Sequence, residues 1–372
     1  MNKQLKALLE LGQSIWYDDL SRGVLSSGEL KSLIDDGVRG LTSNPSIFKN
    51  AIADSADYDT ELAELSAQGL DTESLCETLM IADVGTAADL LRPVYDESNG
   101  ADGYASIEVS PFLAADTDKT LEAARRIWTR LNRPNIMIKV PATPAGIPAI
   151  KTLISEGINV NVTLIFSLEV YKTVVEAYIS GLEARVANRG SLEKIASVAS
   201  FFISRVDAIC EKAFATLVKE GKAELDSQSV FLGKIGVANS KLAYEHYEAE
   251  FTNNRFKKLL EAGAQVQRPL WASTGTKNPE FSPVLYVEEL AGKDTVNTLP
   301  PKTLKLLMES ATIEPRLHSG LAEAKQILNA TKELGIDFDA LLIELQNDGV
   351  KSFADAYQDL LNALESKRKA VA

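Results

Sequence analysis

The chain has 372 residues, 45% hydrophobic and 24% charged, with a formal net charge of −13. That is the balance of a globular protein with a large core, and its acidity opposes binding to nucleic acid or to an anionic membrane surface. Two cysteines, Cys76 and Cys210, give no disulfide framework, two histidines give no metal-ligand cluster, and no apolar run is long enough to span a membrane.

Eight strand-like runs follow one another along the chain. They are SIWYDDL (14–20), VRGLTSN (38–44), YASIEVS (104–110), NIMIKVPA (135–142), INVNVTLIFS (158–167), IASVASFFISRV (195–206), RPLWAST (268–274) and TVNTLP (295–300). Stretches with helical periodicity separate them, such as 115–132 and 168–187. Alternating strands and helices imply a parallel sheet, and eight units imply an α/β fold of the (β/α)8 TIM-barrel type. A doubly wound open sheet is the second reading, weakened because no glycine-rich phosphate fingerprint follows the first strand.

The whole of 1–372 reads as one barrel domain with additions. Helical insertions fall at about 45–103 and 208–262, and a helical extension fills about 302–372. Leu342, Leu345, Phe353, Tyr357 and Leu361 recur at helical spacing, so the extension is expected to pack on the barrel. The start, MNKQLKALLELGQSIW, lacks the apolar core of a signal peptide, and unpaired cysteines suit a reducing compartment, so the expected location is cytoplasmic.

Side chains alternate along a strand. In IMIKV, Ile136, Ile138 and Val140 share one face, which suits the outer helices, and Lys139 then faces the lumen near the strand's C-terminal end. Active sites of this fold lie at that end. The same alternation places Asp18, Asn44, Glu108, Asn161 and Thr163 at neighbouring strand ends, with Leu164 on the opposite face from Thr163, and Ser204 at the end of strand six. Taken singly, Lys139 and Glu108 could be a structural ion pair, Asp18 a turn residue, and Asn44 and Ser204 helix caps. Seven polar groups at matching strand ends fit one polar site better than seven separate accidents, because buried polar groups cost free energy unless paired.

An amine in an apolar, partly desolvated setting favours its neutral form and can attack a carbonyl to form a Schiff base. The iminium accepts electrons from an adjacent carbon–carbon bond. Carboxylates supply the acid and base, and no metal or cofactor is needed. His246, in a polar helix segment, and His318, in EPRLHSG, read as surface residues. Arg205 after strand six and Lys277 after strand seven are the candidate phosphate grip, since barrel phosphate sites lie at the last loops.

Three segments carry a family resemblance: LTSNPSIFKNAI, IMIKVPATPAGIPAIKTL and GINVNVTLIFS. In their order and spacing they resemble the transaldolase family, whose fold is a (β/α)8 barrel. The resemblance covers 10 to about 310 and implies roles at matching positions. Lys139 matches the Schiff-base lysine, and Asp18 the acid/base acting on the C4 hydroxyl. Glu108 and Thr163 match the pair that holds a catalytic water, Asn44 and Asn161 the residues orienting the dihydroxyacetone unit, and Ser204 a substrate-contacting serine. The sequence departs from the better-known pattern in SRVD and in Lys277, where many members carry arginine, and in both it is similar to a longer subgroup with WASTGTKNP. The implied reaction moves dihydroxyacetone from sedoheptulose 7-phosphate to glyceraldehyde 3-phosphate, in the pentose phosphate pathway. The implied partners are sugar phosphates, and a monomer and a homodimer are both compatible. A fructose 6-phosphate aldolase-type lyase and a non-catalytic sugar-phosphate-binding barrel are the alternatives.

Overall fold

The computed structural model describes residues 1–53, 55–224 and 232–371. Parts of two expected insertions, at 54 and 225–231, and the last residue of the C-terminal extension lie outside the described residues.

All eight strand-like runs form strands, and the strands close into a parallel barrel in chain order. They are β1 (Gln13–Tyr17), β2 (Gly40–Leu41), β3 (Tyr104–Glu108), β4 (Ile136–Pro141), β5 (Val160–Ile165), β6 (Ser197–Phe202), β7 (Gln267–Ala272) and β8 (Thr295–Leu299). The ring closes through β1 and β8, with Gln13 opposite Thr295 and Tyr17 opposite Leu299. The fold is the (β/α)8 barrel expected from the alternation of elements. The strands are shorter than the apolar runs suggested, so Asp18, Asn44 and Ser204 lie just past strand ends, in the loops and helix starts that form the C-terminal face.

The two faces of the strands divide as a pleat requires. Ile15, Ile107, Ile138, Val140 and Val162 join the core shared with the surrounding helices. Trp16, Met137, Val198, Leu270 and Val296 join a second apolar cluster that fills the lumen. Trp16 lies so close to β2 that a Cβ on Gly40 would sit 2.5 Å from the indole, which makes glycine obligatory there. At the N-terminal end a polar plug closes the barrel. Trp16 Nε1 donates to Asp102 Oδ1 at 2.9 Å, Ser14 donates to the same carboxylate, and Arg268 donates to Ser14 Oγ at 2.8 Å.

Strict alternation fails in one place that matters. Between Val162 and Ile165 the register of β5 against β6 shifts by one residue, since Val162 faces Ala199 while Ile165 faces Phe201. Leu164 takes φ +59° at this bulge. The bulge turns Leu164 into the lumen-side cluster with Phe166, not onto the outer face that simple alternation predicts.

The C-terminal region is helical over Pro301–Ser310, Leu321–Glu333 and Phe338–Val371, with 311–320 irregular where continuous helix was expected. The last helix crosses the C-terminal face of the barrel. Its Gln346 Nε2 donates to the Ala142 carbonyl at 2.8 Å, and a Cβ on Gly349 would stand 3.0 Å from Leu164. Ion pairs Lys49–Asp359 at 2.7 Å and Asp59–Lys367 at 3.1 Å fix its second half. Leu342, Leu345, Phe353, Tyr357 and Leu361 are all buried, so the apolar stripe read from the sequence is the packed face.

Candidate active site

Glu108, Lys139 and Asn161 stand in register on β3, β4 and β5, so the pleat aims all three into the lumen at one level. Lys139 is only 6% exposed. Its Nζ lies 3.6 Å from Glu108 Oε2, donates to the Ser43 carbonyl at 3.2 Å, and sits 5.8 Å from the centre of the Phe353 ring. The amine therefore meets a carboxylate and a carbonyl, in place of the apolar surroundings its strand neighbours suggested. Ile136, Ile138 and Val140 point outward, and the Phe353 ring presents carbon to the amine.

Asp18 completes the charged group. Its Oδ1 accepts from Thr42 Oγ1 at 2.6 Å, and Thr42 in turn meets Thr298 Oγ1 at 2.6 Å. Burial raises the Asp18 carboxyl above its ordinary range, against the pull of Lys139 and the Thr42 hydrogen bond. Burial also pushes Glu108 up to about 7, again against the attraction of Lys139, and the Asp18 charge adds to the rise. Two carboxyls thus flank one largely buried amine.

Two atoms here are buried without a hydrogen-bond partner in the protein: Glu108 Oε2 and Thr163 Oγ1. Such atoms call for a water or a ligand group. Asn161 is satisfied on both sides, because Nδ2 donates to Ser106 Oγ at 3.1 Å and Oδ1 accepts from Ser200 Oγ at 2.7 Å. Asn44 Oδ1 accepts from Ile47 N at 3.0 Å and so caps the helix Pro45–Ala53, the capping alternative seen in the sequence. No hydrogen bond occupies its Nδ2 among the described residues.

Ser204 does not end a strand. β6 stops at Phe202, and Ser204 is the first residue of the helix Ser204–Lys219. Its hydroxyl meets Ser273 Oγ at 2.9 Å. Arg205, the next residue, stands over the Phe202 ring at 5.3 Å, and burial lowers its affinity for its proton. Neither Arg205 nor Lys277 forms an ion pair with a carboxylate among the described residues.

A cavity of about 240 Å³ brings six of the nine expected residues together: Asp18, Asn44, Lys139, Thr163, Arg205 and Lys277. The carboxylate–amine group stands at its floor, and the two cations line its β6–β7 side. Asn161 and Ser204 do not line it but bind Ser200 and Ser273, which do. Glu108 touches a different cavity. The sequence reading passed over Thr42, Ser200, Ser273, Thr298 and Phe353, all of which line the site. Alternation with Val198 and Val296 would have found Ser200 and Thr298. Nothing local could have found Phe353, which arrives from the far end of the chain. The histidines take no part: His246 packs edge-on against Tyr171, and His318 against Tyr244. Among the described residues no cluster of His, Cys, Asp or Glu could hold a metal ion.

The family model described as Transaldolase/Fructose-6-phosphate aldolase matches residues 15–364. The chain is 44% identical over 371 residues to Transaldolase 2 of Nostoc sp., covering 98% of this chain and 97% of that protein. It is 46% identical over 371 residues to the transaldolase of Mycolicibacterium smegmatis, covering 99% and 98%. The transaldolase of Trichodesmium erythraeum is 44% identical over 377 residues, at 99% and 98% coverage. With its barrel, its lumen lysine and its match along almost the entire length, this chain belongs to the transaldolase/fructose-6-phosphate aldolase family.

Proposed function

We propose that this chain is a transaldolase of the pentose phosphate pathway, moving dihydroxyacetone from sedoheptulose 7-phosphate to glyceraldehyde 3-phosphate through a Schiff base on Lys139. The observation that carries the reading is the lumen amine between Glu108 and Asp18, in a cavity that also holds two cations without acidic partners. The products are erythrose 4-phosphate and fructose 6-phosphate.

The chemistry balances on these groups. Lys139 gives a proton to Glu108, and the neutral amine adds to the C2 carbonyl of the donor. Proton transfer within the pair is inexpensive because burial penalises the separated charges. Glu108, acting through a water held with Thr163, returns a proton to the carbinolamine hydroxyl, which leaves as water and forms the iminium. Asp18 takes the proton of the C4 hydroxyl. The C3–C4 bond breaks, its electrons pass into the iminium to form an enamine, and the first aldehyde departs. The enamine then attacks the acceptor aldehyde, Asp18 protonates the new alkoxide, and water releases the ketose. Asn44 Nδ2 orients the dihydroxyacetone hydroxyls, while Asn161 and Ser204 act by fixing Ser200 and Ser273. Arg205 and Lys277 hold the phosphate.

Reduction with borohydride in the presence of fructose 6-phosphate, followed by peptide mass mapping, tests the reading. A dihydroxyacetone or hexose adduct on Lys139 is expected, and an unmodified Lys139 peptide from folded protein would refute it. The lyase alternative predicts rapid release of free dihydroxyacetone without acceptor. No described helix is long and apolar enough to cross a membrane, and we place the reaction in the cytoplasm, where its sugar phosphates are.

A further inference from the structure

Lys139 and Glu108 are 3.6 Å apart, yet they touch different cavities. Lys139 lines the sugar cavity. Glu108 lines a second one of about 370 Å³, which lies between the helices Thr72–Glu97 and Thr117–Leu131 and reaches Ile107, Ser110 and Tyr357. Phe353 and Tyr357, one turn apart on the last helix, mark the division, since the first lines the sugar cavity and the second lines the other. The ion pair itself is part of the wall between them.

The second cavity is unsuited to substrate. Asp71, Glu73, Glu77 and Glu122 line it against only Lys119 and Arg126, and Arg126 is already bound to Glu77 at 2.7 Å. A net negative mouth repels sugar phosphates but admits water and protons. At its inner end is Glu108, 4% exposed, whose Oε2 meets Lys139 Nζ at 3.6 Å and has no closer hydrogen-bond partner among the described residues.

We propose that this second cavity is a separate water and proton port to Glu108, serving Schiff-base formation while the donor fills the sugar cavity. The inference rests on the transaldolase reading above. Forming the iminium releases one water from the carbinolamine, and hydrolysis consumes one. With the phosphate held by Arg205 and Lys277 and the sugar against Lys139, the substrate itself blocks the mouth of the first cavity. Water that leaves C2 then departs past Glu108 through the port, and the proton that Glu108 has exchanged follows the same path.

Ser74 stands exposed on the rim, and Cys76 and Cys210 are buried, with thiols that burial pushes up to about 12. A Ser74→Cys variant can therefore be alkylated with a bulky maleimide at the rim alone. The readout is exchange of the fructose 6-phosphate C2 oxygen with heavy-oxygen water, which needs no acceptor and no carbon–carbon bond cleavage. Alkylation is expected to slow exchange roughly tenfold or more relative to the same variant unlabelled, within the ~10²-fold that a positioned proton group supplies. The donor KM and the fraction of Lys139 trapped at equilibrium should not change. Ala123→Leu, which fills the port from inside, should slow exchange likewise with the melting temperature reported alongside. Unchanged exchange in both proteins, or a raised donor KM on labelling, would overturn the port. Absence of any trapped Lys139 in the unsubstituted enzyme would instead overturn the Schiff-base reading.

Discussion

Glu108→Gln separates what the buried carboxyl does for catalysis from what it costs the fold. The carboxyl is raised from 4.5 to about 7 by burial, and that value already includes the opposing attraction of Lys139. At ~1.4 kcal/mol per tenfold change in proton affinity, the difference corresponds to about 3 kcal/mol. The folded state holds this proton more tightly than the unfolded chain, so the folded protein is favoured while Glu108 is protonated. Stability is lost as pH rises from 4.5 toward 7, and the full penalty stands above that. Glutamine keeps the shape and does not titrate. The variant should therefore gain on the native protein by up to about 3 kcal/mol between about pH 4 and pH 8, roughly 4 °C in melting temperature for a chain of this size. Unfolding scans of both proteins across that range measure it directly. Turnover should move the opposite way and fall by ~10²-fold or more, since the positioned proton group is gone. The rate limb near pH 7 should vanish with it. A stability difference that stays flat across the range would refute the claim that a desolvated, titrating Glu108 burdens the fold.

Lys139→Arg should fold normally yet give no borohydride adduct and no turnover, because a guanidinium stays charged and cannot add to a carbonyl. Arg205→Met should lower kcat/KM by ~10–100-fold, the worth of a charge-assisted hydrogen bond to phosphate, with the larger share in KM, and Lys277→Met should lower it less because Lys277 is exposed. Phe353→Ala should destabilise the protein by about 3 kcal/mol in urea titrations and lower kcat more than KM, since it removes the aromatic ring that packs over the amine. Gly40→Ala should cost on the order of 2 kcal/mol or more, because its Cβ would strike the Trp16 indole at 2.5 Å.

The barrel was legible because strands alternate with helices, and a period of two separates lumen from shell without any knowledge of neighbours. That rule alone placed Asp18, Glu108, Lys139, Asn161 and Thr163 on the lumen side. It failed where geometry depends on contacts between elements. The bulge at Leu164 answers the closure of β5 on β6, and no residue type in TLIFS marks it. Ser204 read as a strand end because the apolar run IASVASFFI continues past the last ladder bond at Phe202 into the helix start. Phe353 was visible as part of an apolar stripe, but its position over Lys139 depends on how the last helix crosses the barrel, and that is set by remote groups such as Gln346 and Asp359.

The setting of Lys139 changes the account of its reactivity. A purely apolar pocket would keep the amine neutral but would leave no group to receive its proton or to move protons later. Both Asp18 and Glu108 are raised by burial, so each binds a proton more readily than in water, and each lies close to the single amine. In the proposed reaction the amine passes its proton to Glu108 without any charge leaving the site. In the proposed reaction the bond-breaking step uses Asp18, whose Oδ1 accepts from Thr42, so the two proton transfers fall to different carboxylates. The cost of crowding these groups is the stability that Glu108→Gln should recover. The net charge of −13 gives Arg205 and Lys277 their importance. On a protein whose net charge repels phosphates, the proposed reaction relies on these two cations at one rim of the cavity to set which way round the sugar enters, with its carbonyl toward Lys139.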